Sequence, residues 1–434
     1  MSSQVHFENK LPMQRRKKAL IGLSVIALIS VATITIFFLL SEPIKEEKDS
    51  SDDHPDFPTI YLRCNDELDN ENYSNCVFEL DSSESSERID SLNAQIKIRG
   101  ETSATYPKKG YRLQLSKGES LLGMRDDDDW QLFASYYDYT RLKVKLSFNL
   151  WRNLLPENPT AILPPSRYIL LYFNGNFQGL YLLAEKNDRK LFGLNETLQN
   201  NTDDSLIFQA KDPSNFSQYE ADKWEQDWPN EYQGYYIMDD VMTNLIEFVK
   251  NSSDDDFFNE TSGIFAKFFK NNLMDFFLFN FFIFHKDFWN KNYFIIRNTN
   301  PSNFSLIPWD FDLSFGQNAT NTHSATEDPK LQIFEIRNKS LLYNRLINNT
   351  WFRKNCSARW TKLRNSVNGV WSNNSISNIL SQVYSECKVY LTLDLNIWNQ
   401  PNPEDFINIL SEWISARLSF CDNYFDSDSD FVLG

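Results

Sequence analysis

The chain has 434 residues, with 43 Lys and Arg against 59 Asp and Glu, and a formal charge of −16 at pH 7. That length suffices to bury the core of one large or two ordinary domains. The acidic excess repels a phosphate backbone, which argues against a nucleic-acid partner, while metals and basic protein substrates remain compatible with it.

Residues 1–18 hold Lys10, Arg15, Arg16, Lys17 and Lys18 against Glu8, and residues 19–40 carry no charge. At about 1.5 Å per residue this apolar stretch spans a bilayer core. It is longer than a signal-peptide core, and no small-x-small cleavage pattern follows Leu40, so an uncleaved signal-anchor is expected. The basic flank precedes the span, which puts 1–18 in the cytosol. The reading is a single-pass type II membrane protein with a transmembrane helix at 19–40 and a charged stalk at 41–57. The remainder is lumenal or extracellular, in the endoplasmic reticulum, the Golgi or at the cell surface. Asn-x-Ser/Thr sequons at Asn72, Asn195, Asn215, Asn251 and elsewhere agree with that address. So do the cysteines, all of which follow the span. Cys64 and Cys76 are spaced to close a small loop; Cys356, Cys387 and Cys421 offer a second bridge with one thiol over, or stay as buried thiols.

From residue 58 the pattern is strand-like. Residues 94–100 and 111–115 alternate with period two and flank a loop that contains Lys108 and Lys109, so they read as a hairpin. The acid run 126–129 reads as a solvated turn. Apolar residues at helical spacing predict a helix over 141–155. Residues 168–183 are two apolar runs joined by Asn174-Gly175, a strong hairpin signal. Residues 191–262 are polar and sequon-bearing and read as a loop-rich insertion, with a helix at 237–250. The Phe-rich run 272–284 is too short to span a membrane and predicts a buried helix. Helical patterns fill 330–348, 351–366, 376–393 and 404–420. A strand-rich lobe at 58–190 is therefore expected ahead of a helix-rich lobe at 263–425, an α+β fold with a cleft between the lobes.

The chemistry gathers just past that transition. Asp287 and Asn292 precede one apolar run, and Asp310 and Asp312 follow the next. An acid, an amide oxygen and a carboxylate pair are the groups that Mg²⁺-nucleotide chemistry requires. Spacing alone is weak, because Asp and Asn are common here. Longer stretches are more specific: IKIRGETS at 96–103, PKKGYRLQL at 107–115, DWQLFASYYD at 129–138, NGNFQGLYLLAEK at 174–186 and PWDFDLSFG at 308–316.

In that order these stretches resemble the CotH family of spore-coat-type atypical protein kinases, over about residues 58–420. The resemblance implies a two-lobed protein-kinase-like fold and transfer of the ATP γ-phosphate to Ser or Thr of secretory-pathway proteins, with Mg²⁺ or Mn²⁺. It makes Asp287 the catalytic acid, and Asp310 and Asn292 metal ligands. Asp312 is either a further ligand or a turn-stabilising acid. Lys108 or Lys109 matches the lysine on the ATP phosphates, Arg99 and Arg112 add phosphate charge, and Glu185 sits at a hinge near adenine and ribose. One departure is Glu-Thr-Ser after Gly100, where the family pattern has Asn before the Ser pair. His285 is expected to pack behind the catalytic turn, and Trp289 and Trp309 to be wall residues. The same fold also admits nucleotidylation or glutamylation, or a non-catalytic, surface-displayed binding or adhesion role.

Overall fold

The computed structural model describes residues 57–100, 102–230, 236–286, 288–317, 327–331 and 335–426. The expected tail, span and most of the stalk lie outside the described residues, and so does Asp287. Among the described residues, no helix is long and apolar enough to cross a membrane.

Seven strands close a barrel. They are β1 (Thr59–Cys64), β2 (Ser74–Asp81), β3 (Ile89–Arg99), β4 (Gly110–Ser120), β5 (Asp126–Phe133), β6 (Ser166–Phe173) and β7 (Asn176–Glu185), in the order β1-β2-β3-β4-β5-β7-β6. Neighbours run antiparallel except at the closure, where β1 lies parallel to β6. Period-two alternation sends Ile60, Leu62, Phe78, Ile96, Leu113, Trp130, Leu132, Ile169 and Leu183 into the barrel. The other face of β5, β6 and β7 carries Phe133, Tyr168, Leu170, Leu182 and Ala184 into a second, larger core. One sheet therefore serves both cores, and this ties the barrel to the helices beneath it.

Asn174 (φ 48°) and Gly175 (φ 78°) make the β6–β7 turn, as their dipeptide predicts. The acid run at 126–129 departs from expectation. It is strand, not turn, and Asp127 is buried against Arg125, with Nη2 2.6 Å from Oδ2. Residues 191–262 also hold more than loops. β8 (Leu206–Ala210) and β9 (Trp224–Trp228) join β10 (Tyr293–Arg297) and β11 (Ser305–Pro308) in a four-stranded sheet, ordered β11-β10-β8-β9.

Helix α1 (Lys143–Arg152) lies in the larger core, and α2 (Met238–Asn251) follows the second sheet. Helix α3 (Lys270–Phe282) is apolar on every side and buried throughout most of its length, as the sequence predicts for this run. Its one carboxylate, Asp275, is paired bidentately with Arg359, at 2.7 and 2.9 Å. That pairing offsets the cost of burying a charge. Against α3 pack α4 (Leu341–Asn348), through Tyr343, with α5 (Thr350–Arg364) and α7 (Pro403–Tyr424), while α6 (Asn373–Ile397) packs on β7 and α1.

Cys64 and Cys76 face each other across β1–β2 and form a disulfide. The proposed second bridge does not form: Cys356, Cys387 and Cys421 are free and buried. They lie on α5, α6 and α7 respectively, each turned into the apolar core.

Candidate functional site

The β10–β11 hairpin brings the sequence-predicted groups together. Its register pairs Tyr293 with Pro308, so Asn292 stands opposite Trp309, and the Asn292 carbonyl accepts from the Trp309 N–H at 2.9 Å. Asp310 is the next residue. Asn292 and Asp310 both adopt left-handed backbone, with φ of 62° and 61°. Asn and Asp tolerate that region better than other side-chain-bearing residues do.

His285 anchors the turn from below. Its Nε2 lies 2.7 Å from the Asp310 carbonyl and its Nδ1 3.1 Å from Asn280 Oδ1. Asn280 Nδ2 in turn donates to the Phe276 carbonyl at 2.7 Å. A polar relay thus runs from the interior of α3 to the backbone of Asp310. Phe311 plugs the turn into the core between Phe148 and Phe279. Backbone bonds from Lys286 to Leu313 (3.1 Å) and from Phe315 to Ile283 (2.6 Å) lay the chain ahead of Asp287 along the acidic turn.

Asp312 is exposed to solvent on the turn, with protein close around its carboxyl. Burial, with Asp310 beside it, pushes its carboxyl up to about 7, while Arg99 and Lys143 pull the other way. Arg99 lies at the end of β3, its guanidinium 4.1 Å from the centre of the Phe133 ring. Burial lowers it to about 10, against the pull of Asp310 and Asp312. Gly110 sits opposite in the register, and a Cβ there would come within 3.1 Å of the Arg99 side chain. Lys143 opens α1. It is buried, bonded through Nζ to Gln317, and lowered by burial against the pull of Asp138 and Asp312. Lys143 was not legible in the sequence, where it reads only as a helix-start lysine.

The remaining predicted residues divide. The Lys109 ammonium bonds the Ala104 carbonyl at 2.6 Å, inside the β3–β4 loop. Lys108 points the other way: it is 1 % exposed, and its ammonium bonds the Leu180 carbonyl at 2.5 Å and Asp394 at 2.7 Å. Lys108 is therefore a structural tie and offers nothing to a ligand in the cleft. Arg112 is exposed on β4, with Arg99 on one side and Lys186 and Asp227 on the other as electrostatic neighbours. Glu185 is buried and accepts from the Arg125 N–H and Nε, at 3.0 and 3.1 Å. It braces the barrel's exit toward the second sheet, and burial raises its carboxyl.

Immediately after Glu185, residues 186–190 and 227–228 enclose a hollow of about 170 Å³. The resemblance implied adenine and ribose near Glu185, but the far wall of this hollow was not legible, because β9 lay inside a segment read as loop. Tyr106, in the loop between β3 and β4, stacks edge-on against Tyr137 at 4.2 Å. Burial and Tyr137 raise its phenol to about 12, with Asp312 and Asp310 adding to the shift.

The donor set fits a divalent cation. Asp310, Asp312 and the Asn292 amide are hard oxygen ligands, and Asp310 and Asp312 are close enough for each carboxylate to feel the other. Among the described residues no group of three or more His, Cys, Asp or Glu converges, so the candidate site rests on two carboxylates and an amide.

Barrel, buried helix and acidic hairpin turn make this a mixed α+β fold. The chain belongs to the CotH family: the family described as CotH kinase protein matches residues 96–421. It is similar to inner spore coat protein H of Bacillus subtilis (strain 168), at 22 % identity over 281 residues, covering 61 % of this chain and 68 % of that protein. Among solved structures it is similar to the Shewanella oneidensis MR-1 HipA–HipB–operator complex (14 % identity, TM-score 0.29), over 70 % of this chain and 61 % of that one. It is also similar to the Helicobacter pylori proinflammatory kinase CtkA (10 %, 0.24; 71 % and 90 %). A third is the Golgi casein kinase with Mn/ADP bound (9 %, 0.27; 84 % and 73 %).

Proposed function

We propose that this chain is a two-lobed, protein-kinase-like transferase that moves the γ-phosphate of ATP to Ser or Thr hydroxyls of secretory-pathway proteins. The observation that carries the reading is the β10–β11 register, which sets Asn292 beside Asp310 with Arg99 and Lys143 as flanking cations. Asp310, Asn292 and Asp312 hold Mg²⁺ or Mn²⁺, which when bound neutralises phosphate charge. Arg99, Arg112 and Lys109 line the phosphates, and the hollow beyond Glu185 takes the base. Asp287 accepts the proton of the attacking hydroxyl; the new bond joins that oxygen to the γ-phosphorus, and the β–γ bridge breaks to release ADP.

The apolar stretch 19–40 anchors the chain as a single-pass type II membrane protein with its catalytic part in the lumen or outside the cell. The Cys64–Cys76 disulfide and the sequons support that address.

The test is labelled ATP with Mg²⁺ or Mn²⁺, the purified full chain and a Ser-rich acceptor protein. Phosphate transfer is expected, lowered at least about a hundredfold in Asp287→Ala and Asp310→Ala. Transfer that survives both substitutions refutes the assignment. Intact-mass analysis distinguishes a phosphate from a nucleotide or a glutamate, and absence of any metal-dependent ATP binding favours a binding protein.

A further inference from the structure

Beyond the acidic turn the chain is bracketed back onto the helical core. The Glu327 N–H donates to the Gly316 carbonyl at 3.1 Å, and the Glu327 carbonyl accepts from Trp413 Nε1 at 2.7 Å. The carbonyls of Pro329 and Leu331 accept from Arg417 Nη1 at 2.9 and 2.5 Å. Trp413 and Arg417 are four residues apart on α7 and so share one face. Arg417 is fully buried. Its guanidinium lies 4.8 Å from the ring centres of Phe281 and Phe284, and Nη2 donates to the Phe281 carbonyl at 2.6 Å. Gly316 lets the indole in, since a Cβ there would collide with Trp413. The backbone of Glu327 is therefore a fixed point.

From that point one side chain reaches toward the catalytic turn. Glu327 Oε1 accepts from the Lys286 ammonium at 2.8 Å. Lys286 is held at two more places: its N–H donates to the Leu313 carbonyl at 3.1 Å, and its carbonyl accepts from Lys339 Nζ at 3.4 Å. The next residue in the chain is Asp287. The Lys286 side chain is 42 % exposed and that of Glu327 15 %, and an ion pair so open to water adds little to stability. Its placement gives it another use. It joins the segment after the acidic turn to the residue just before the catalytic acid, and so ties both halves of the site to one frame. A misplacement of about 1 Å in a reacting group costs roughly a hundredfold in rate, so a tie that barely affects stability can govern activity.

We propose that Glu327 is a positioning residue of the catalytic turn, acting through Lys286 to set the reach of Asp287. The inference rests on the phosphate-transfer reading above and adds a residue that acts on the reaction through another side chain.

The test compares Glu327→Ala, Lys286→Met, their double variant and Lys286→Arg with wild type, as full chains in detergent. Labelled-ATP transfer gives kcat and KM, and hydrogen exchange follows the amides of residues 283–292. Each single variant should lose about tenfold or more in kcat, with KM for ATP within about twofold and the melting temperature of wild type. The double variant should lose no more than either single one, because both remove the same interaction. Lys286→Arg keeps the pair and should keep most of the activity. The exchange should quicken in the two single variants and not in Lys286→Arg. Wild-type kcat in both single variants overturns the proposal, and so do losses that multiply in the double variant. If Glu327→Ala does not fold, Lys286→Met against Lys286→Arg decides. If wild-type protein transfers no phosphate, the proposed reaction fails, and the exchange still decides this inference: quickening confined to the pair-breaking variants supports it, and unchanged exchange refutes it.

Discussion

Asp310 owes its position to residues that no ligand would touch. Its left-handed backbone is uncommon for a residue with a side chain, and His285 holds that turn by bonding its carbonyl. His285→Phe keeps the aromatic packing against Phe288 and Phe311 but removes the relay from Asn280. The expected cost is about 1–3 kcal/mol of stability, read from the urea midpoint, with a further loss of transfer activity. Asp227 supplies a pH dependence. Burial, and then Glu225, raise its carboxyl to about 7, against the pull of Lys186 and Arg112. Between about pH 4, the ordinary value for Asp, and pH 7, the folded protein holds a proton that the unfolded chain has released. Stability from this group is thus complete at low pH and falls as pH rises through that window. Asp227→Asn should flatten the fall, which denaturation at pH 5 and pH 8 would show; an identical pH slope in the two proteins would contradict it.

At the scale of elements, the barrel and the helices are locked by one buried carboxylate. Asp394 on α6 bonds the ammonium of Lys108, the guanidinium of Arg141 at 2.7 Å and the Leu180 N–H at 2.8 Å. Gly179 makes room for it: φ is +94°, and a Cβ there would lie 2.1 Å from Asp394 Oδ1. Burial lowers Lys108 to about 7 even so close to its partner, because the loss of hydration outweighs the pull of Asp394, and Arg141 adds to the fall. Asp394→Ala strands two buried cations and should cost about 3–5 kcal/mol. Lys108→Met leaves Asp394 still paired to Arg141 and should cost clearly less. Thermal melts of the two variants test the order, and equal losses would mean that the network does not hold α6 to β7.

At the scale of the whole molecule, covalent and apolar ties are segregated. The Cys64–Cys76 disulfide staples the first barrel hairpin, and closing so short a loop contributes about 2–4 kcal/mol. The helical part has three thiols and no bridge among the described residues. Burial pushes Cys387 and Cys421 to about 12, and Cys356 well above the usual thiol range. A thiol reagent should therefore find no reactive cysteine in the native protein and three after denaturation without reductant. Rapid native labelling at any of them would show that the helical core opens readily.

Local signals in the sequence determined much of this protein. Period-two alternation, the Asn174-Gly175 turn and the Phe-rich run of α3 are each encoded within a few residues, so the barrel hairpins and the buried helix were legible, as was the placing of Asn292 and Asp310 at the ends of β10 and β11. What only the tertiary structure decided depends on partners distant in the chain. Lys108 and Lys109 are adjacent, yet Asp394 draws one into the core. The acid run at 126–129 became strand because it pairs with β4, Asp127 opposite Glu119 and Asp129 opposite Gln114. β8 and β9 lie within a long polar segment, and β8 takes its place between β9 and β10, the latter some 85 residues further on. Sequence pattern reports which face of an element is apolar; it does not report which buried charge finds which partner, because that choice is made by contacts formed at long range.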